Sequence, residues 1–556
     1  MFRLAGLLCL LGLGAFAQPS PLLQILGEEL DRNFRILKEK AESPPYFLVY
    51  GVTEHQVVGV SASLGALENA TRRHSRFLDV SVRVGSYKLD NYHPLTGEQA
   101  QFSPGALLPL EDSPRAIQQR LWRETDRAFR AAAQRLIRIR TGKEVKVAES
   151  EQAADFSMEQ PSNHQDPAPA LRISVEDWSE RARKLSTEFR KHPEILSSQV
   201  IFLANAETKY LVNTEGSRLE HGRTFGRILI SAEAKAADGM ELSAGETIEA
   251  ADPAHLPNDD GVRAAIRRVI EELTGMLRAP VVEPYVGPAL LSGKAAGVFF
   301  HEIFGHRVEG HRQREESDGQ TFAKSVGTAV LPSFLSVAFD PTLRSVGKTD
   351  LEGSYLYDDD GVKARRVNVV ESGILKTFLM SRSPVAKLES SNGHGRRQPG
   401  REVVSRQSNL VVESSNKVAE ARLRQMLIEE ARRQGKPYGY RFEQVTGGYT
   451  STSRRGIQAF KVIPVVVYRV WADGRPDELV RGVEIVGTPL ASFAKILATG
   501  DKQDVFNGRC GAESGEVPVS AVSPALLVSE LEIQKKEVSR NRPPILPPPQ
   551  PTEGPR

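Results

Sequence analysis

Apolar residues along this chain alternate between a helical period and a strand period. From Leu22 to Ala41 they recur at helical spacing and predict an amphipathic helix. Tyr46 to Val52, Gln56 to Ala62 and Arg76 to Val84 then read as three strands, punctuated by Pro44-Pro45 and the Gly85-Ser86 turn. Ser113-Pro114 opens a long surface helix running to about Arg140, with Ile117, Leu121, Phe129, Ala132, Leu136 and Ile137 on its apolar face. Residues 151–170 are polar, Pro-bearing and aperiodic, which predicts a linker or exposed loop and a boundary after an N-terminal α/β domain at 18–150. A central α/β segment over 171–284 follows. It predicts a helix from Val175 to Phe189 that Ser174 and Asp177 could cap, strands at Gln199 to Ala204 and Thr208 to Asn213, a turn at Thr214-Glu215-Gly216, and a helix from Val262 to Leu277. Beyond Pro288 the pattern changes, and from Thr328 to about Val486 it becomes mostly β: apolar runs separated by Gly and Asp turns, with Lys461 to Val470 markedly β-prone, which predicts a mostly β domain over 285–537. The fold class is therefore α+β, an N-terminal α/β part followed by a mostly β C-terminal domain. Residues 538–556 form a Pro-rich tail, predicted to be disordered, since seven of the last sixteen residues are proline.

Composition narrows the partners. With 556 residues, 40% hydrophobic and 26% charged, the chain has length for two or three domains. Lys and Arg number 73 against 70 Asp and Glu, so the net charge of +3 gives no electrostatic footprint for nucleic acid or an anionic membrane. At the N-terminus, Arg3, the apolar run Leu4 to Ala17 and the closing Ala15-Phe16-Ala17 read as a secretory signal peptide, residues 1–17, cleaved before Gln18. No other segment is long and apolar enough to cross a bilayer, so the mature chain is expected to be extracytoplasmic, periplasmic or secreted, with no membrane span.

Cleavage leaves Cys510 as the single cysteine, because Cys9 lies inside the signal. One thiol in an oxidising compartment cannot form an internal disulfide. It is either a buried, inert small hydrophobe or a metal ligand. The run His301-Glu302-Ile303-Phe304-Gly305-His306 favours the second: two imidazoles, a thiolate and an adjacent carboxylate are the parts of a hydrolytic zinc site. Three ligands on Zn²⁺ leave a fourth position for water, and Glu302 is then free to act as general base on that water and return the proton to a leaving amine. A satisfied core histidine and a surface glutamate are the bland alternatives. The spacing carries its own constraint, because residues five apart on a regular helix are separated by about 140°. The apolar stretch Ala295 to Phe300 predicts a buried helix, which must widen into a π-type turn or break at Gly305 to aim both rings at one metal. His311 repeats the five-residue step, but Glu309-Gly310 and Arg312-Gln313-Arg314 around it read as solvated, which argues against metal contact.

Several stretches together resemble the TldD branch of the TldD/PmbA metalloprotease family: Tyr285 to Leu291, His301 to His306, Tyr357 to Val362, Asn392 to Arg396, Gly447-Gly448, and Cys510-Gly511 with Val517 to Ser520. The resemblance runs from about Pro45 to Glu537. It implies a zinc-dependent protease with His301, His306 and Cys510 as metal ligands and Glu302 as general base. It further implies a mostly β C-terminal metalloprotease domain at 285–537. A homodimer, or a heterodimer with a PmbA-like subunit that lacks the metal motif, would enclose a cavity where unfolded peptide adds as a strand near Gly447 and Gly448. By the same resemblance Asp358 to Gly361, first of all a turn, lines the site. Two other readings fit the same residues: a non-catalytic, metal-retaining peptide-binding subunit, and a zinc amidase for another amide. Members of this family are typically cytosolic, whereas this chain carries an export signal. The mature protein is expected to begin at Gln18, and N-terminal sequencing that finds Met1 on a cytosolic product would refute the export reading.

Overall fold

Two sheets organise the chain. The computed structural model describes residues 20–94, 105–144, 153–314, 319–385, 387–452, 460–487, 492–536, 544 and 546. The expected signal segment, and all but two residues of the expected Pro-rich tail, lie outside them. Helix α1 (Pro21–Lys40) starts where the Ser20 hydroxyl accepts the Leu23 N–H. Strand β1 (Pro45–Ser63) turns through Leu64-Gly65, both at positive φ, into β2 (Ala66–Val84). After β3 (Ala106–Leu107), α2 (Pro114–Glu144), β4 (Asn163–Gln165) and α3 (Val175–Ser186, capped by Ser174) come β5 (Ser197–Asn213), β6 (Arg218–Lys235), β7 (Glu241–Ala250) and α4 (Asp259–Arg278). These strands form one sheet in the order β3-β2-β1-β5-β6-β4, with β7 on β6.

Two expectations fail here for one reason. The runs expected as separate strands at Tyr46 to Val52 and Gln56 to Ala62 are a single β1, and the pair expected within 199–213 is a single β5. Each long strand serves two hydrophobic clusters. Leu48, Tyr50, Val52, Tyr210 and Val212 pack with α1 and α2, whereas Val58, Val60, Phe202 and Ala204 pack with α3 and α4. The polar positions between them, such as Thr53, His55 and Glu207, break the apolar pattern without breaking the backbone ladder. The expected boundary at 151–170 does not separate two sheets either, because β1 pairs with β5 from Val49–Asn213 to Ala62–Val200. Part of that segment is packed rather than exposed. Asp155 is buried against His93 Nδ1 at 2.8 Å and the Asp90 N–H at 3.0 Å, Phe156 lies under the Arg83 and Arg382 guanidiniums, and 163–165 joins the sheet as β4. Its polar residues are buried because their charges and hydrogen bonds are met.

The C-terminal part is built around a short helix. Strand β8 (Tyr285–Leu291) leads into α5 (Gly293–Ile303), and β9 (Leu335–Phe339), β10 (Val367–Glu371), β11 (Asn409–Ser414), β12 (Tyr438–Thr450), β13 (Phe460–Trp471), β14 (Val483–Gly487), β15 (Ile496–Ala512) and β16 (Gly515–Lys535) form most of the second sheet. The ladder closes on itself, since β8 bonds to both β12 and β16. Against these strands every residue of α5 except Lys294 is buried. Helix α6 (Glu420–Arg433) interrupts a region read as β; Leu423, Leu427, Ile428 and Ala431 make its buried face.

Between these layers the Asn392 to Arg396 stretch is buried, with His394 Nε2 3.1 Å from Ser408 Oγ and Nδ1 3.2 Å from Asn392 Oδ1. Burial pushes the His394 pKa down to about 3, so the folded protein keeps this ring neutral. The unfolded chain takes up the proton near 6.5 and the folded chain does not, so stability is present above 6.5 and is lost as pH falls towards 3. Between pH 6.5 and 5 the loss from this ring is expected to be about 2 kcal/mol. Urea unfolding of wild type and His394→Gln at pH 7 and pH 5 measures it, and equal pH dependence of the two proteins would refute the assignment.

Candidate metal centre

The five-residue step is resolved by a break in the helix. Helix α5 ends at Ile303, and a 3₁₀ turn, Gly305–Val308, carries His306. Nothing but a hydrogen fits on Gly305, since a Cβ there would come within 1.9 Å of Gln407 Oε1. The break frees backbone carbonyls, and side chains take them up. Arg307 donates to Glu302 O and Ile303 O, each at 3.0 Å, and Gln407 Nε2 donates to His301 O at 3.3 Å. The same Arg307 also donates to Thr450 Oγ1 at 3.1 Å, fixing the end of β12 beside the turn.

The two rings meet at 81° with centroids 5.0 Å apart. Cys510 reaches them from β15, with Sγ 3.4 Å from His306 Nε2, and the donor atoms of His301, His306 and Cys510 all lie within 4.8 Å of one another. All three residues are buried. Tetrahedral zinc spaces N and S donors roughly 3.4–3.8 Å apart, so the set fits the ion after closing by about 1 Å. Burial opposes charge on His306 and Cys510, but each stabilises the other: the ring is held well above its ordinary value and the thiol well below its own. The thiolate is the form a metal ligand needs, while His306 has to release a proton to offer Nε2.

Nδ1 of His306 faces a carboxylate that the sequence reading placed in solvent. Glu309 has 0% exposure, with Oε2 3.2 Å from His306 Nδ1 and 2.8 Å from Arg312 Nε, and Oε1 3.4 Å from Arg406 Nε. Burial raises its pKa, yet His306, Arg312 and Arg406 together hold it well below the ordinary carboxylate range. Arg406 in turn donates to Cys510 O at 2.6 Å and Ser514 Oγ at 2.7 Å. The expectation of a solvated 309–314 segment is therefore corrected. Glu309 to Gln313 are buried because each charge finds its counterpart within the segment, on the β15–β16 hairpin or at Arg406. His311 pairs with Glu513, which also accepts from Arg312 at 2.9 Å, and it stands outside the metal-donor group.

Glu302 also stands outside that group, buried beside it. Burial raises its pKa, against the pull of His301 and His306. Gly448 lies against its side chain: a Cβ there would come within 2.7 Å of Glu302 Cγ and 2.8 Å of Lys461 O. Gly447, at φ +155, has open space at the corresponding position. Of the other stretches in the sequence reading, Asp358 is a buried turn residue whose carboxylate accepts the N–H groups of Asp360, Val362 and Gly395.

Residues 285–535, which contain every one of these donors, match the PmbA/TldA metallopeptidase C-terminal domain. That domain places residues 285–535 in the TldD/PmbA family. A metalloprotease from Archaeoglobus fulgidus is 29% identical over 269 residues, 48% of this chain and 58% of the relative. A zinc metalloprotease TldD homolog from Saccharolobus solfataricus is 27% identical over 271 residues, 48% of this chain and 55% of the relative. The chain thus spans less than two thirds of the length of these relatives. In fold it is similar to TldE from Thermococcus kodakarensis, with a TM-score of 0.60 at 14% identity, covering 91% of this chain and 100% of that one.

Within this TldD/PmbA domain, Glu309, Arg406 and Gln407 are the residues that sequence reasoning missed. Glu309 carried a signal, its three-residue spacing from His306, whereas nothing local marks Arg406 and Gln407 as reaching the site from 100 positions away. Replacing Glu309 with Gln keeps the shape and removes the charge opposite His306 Nδ1. Zinc affinity is then expected to fall about 10- to 100-fold, read by competition with a chromogenic chelator. Unchanged affinity would refute an orienting role.

Proposed function

We propose that this chain is a zinc-dependent peptidase acting on unfolded or flexible polypeptides. One observation carries the reading: a buried carboxylate with a raised pKa, Glu302, stands next to the three donors without being one of them. A peptide-binding subunit that merely retained a metal would have no use for such a base. Zinc held by His301, His306 and Cys510 would supply a Lewis acid that polarises the scissile carbonyl and acidifies water. Glu302 takes the proton of the attacking water and passes it to the leaving nitrogen. Its raised pKa suits it to both halves of that transfer.

The pairing of β12 supports a place for the substrate. Among the described residues, 444–450 pair with β13 on one side, while β8 covers the other side only at 440–442. The open edge runs through Gly447 and Gly448 to the Glu302 side chain, so a peptide adding as a strand would pass the base. Main-chain hydrogen bonding of this kind tolerates many sequences, which supports flexible polypeptides as the substrate class. The expected export signal supports an extracytoplasmic site of action, and assembly with a second copy or a PmbA-like subunit belongs to the same proposal.

Replacing Glu302 with Gln should leave zinc content near wild type and reduce cleavage of an unfolded peptide by about 10²-fold or more. Cys510→Ser should instead lose zinc. Elemental analysis beside a turnover assay reads both. Wild-type protein that retains zinc and cleaves nothing would favour the binding-subunit reading, and cleavage at full rate by the Glu302 variant would defeat the mechanism.

A further inference from the structure

The polar middle of the N-terminal strands faces a cavity between the two parts of the chain. Its volume is about 360 Å³, within the range of small-molecule sites. Thr53, His55, Glu207, Lys209 and Arg223 form one wall, and segments near 344, 355–359, 396–398, 509 and 516–518 form the other.

Positive charge in this cavity exceeds what the protein itself neutralises. Lys209 is bound to Asp359 at 2.6 Å, Arg223 lies 3.5 Å from Glu207, and Arg397 lies 3.5 Å from Asp79. Three further guanidiniums are less closely matched. Arg396 is 5% exposed, gives Nη1 to the carbonyls of Gln407 at 2.6 Å and Pro518 at 2.7 Å, lies 4.7 Å over the Tyr355 ring, and makes no ion pair among the described residues. Arg344 makes none either; burial and Arg223 pull its pKa down, while Asp166 pulls it the other way. Arg509 has Glu352 at 3.9 Å, a carboxylate that shares Arg227 with Glu249.

The acids do not restore the balance. Asp358 spends its oxygens on backbone N–H groups, and burial with Asp360 beside it favours its neutral form. His221 is pushed down to about 4 by burial and adds no charge. Apart from Asp358, Glu516 is the one lining acid without an ion pair among the described residues, and Arg344 and Arg396, also without one, outnumber it. A buried guanidinium such as Arg396 is costly unless an anion meets it.

We propose that this cavity binds a small anionic ligand whose charge sits on carboxylate or phosphate groups, held by Arg344, Arg396 and Arg509. The guanidinium fork suits both oxyanions, and Tyr355, Tyr357 and Phe77 offer ring surface to the remainder of the ligand.

Calorimetric titration of the full-length, zinc-loaded protein at low ionic strength with succinate and with inorganic phosphate tests this. At least one probe is expected to bind, and the pair of substitutions Arg344→Gln and Arg509→Gln is expected to weaken it tenfold or more. Both side chains reach solvent, so melting temperature and zinc content should not change. Binding of succinate alone identifies a carboxylate ligand, and binding of phosphate alone identifies a phosphate ligand. Absence of binding by either probe overturns the proposal. So does binding that survives both substitutions, as an anion seated on the zinc would.

Discussion

Glu309 is a buried charge whose neutralisation joins two distant parts of the chain. An uncompensated carboxylate at 0% exposure would cost several kcal/mol, and here Arg312 and Arg406 face it while His306 Nδ1 stands 3.2 Å away. Arg312 belongs to the same short segment. Arg406 does not, and its other contacts are the Cys510 carbonyl and Ser514, so the charge that settles Glu309 also fixes the strand carrying the thiol. His306 and Cys510 are 204 positions apart, and this network brings their side chains to 3.4 Å. Removing any one partner would strand a charge in the interior, which makes the arrangement cooperative.

Ending a fully buried helix in mid-core poses a second problem, and the same polar layer solves it. The last carbonyls of α5 have no helical partners once the chain tightens at Gly305. Phe304 N–H takes Phe300 O, Gln407 takes His301 O, and Arg307 takes Glu302 O and Ile303 O. Every carbonyl from 300 to 303 is thereby satisfied at the point where the rings must turn inward. Arg307 then continues to Thr450 and Ser451, so the break in the helix also sets where β12 ends.

The sequence made visible what depends on local pattern. The periodicity located α1, α2, α3 and α4 to within a few residues, and the five-residue step between His301 and His306 required the helix distortion found at Gly305. It misled where polar residues are buried. Thr53, Glu54 and His55 looked like a gap between strands because two hydrophobic clusters share one strand, and 309–313 looked solvated because its compensating arginine lies at 406. Helix α6 was legible in Leu423, Leu427, Ile428 and Ala431, but the surrounding β-prone runs masked that spacing. Long-range charge pairing leaves no periodic trace, so Arg406 and Gln407 could be found only in three dimensions.

Charge accounting explains why the centre can be so deeply buried. A divalent ion among His301, His306 and Cys510 would carry two positive charges, of which the Cys510 thiolate cancels one and the Glu302 carboxylate the other. Glu309 takes no part in that balance, since Arg312 and Arg406 already occupy it. Two adjacent carboxylates therefore sit in different electrostatic settings. Glu309 is locked in its charged form by fixed cations, whereas Glu302 faces groups whose charge depends on protons and is left by burial with a raised pKa. A carboxylate that must orient a ring benefits from the first setting, and one that must accept and release a proton requires the second. Gly448 leaves the room that the second carboxylate needs, since a Cβ there would come within 2.7 Å of Glu302 Cγ.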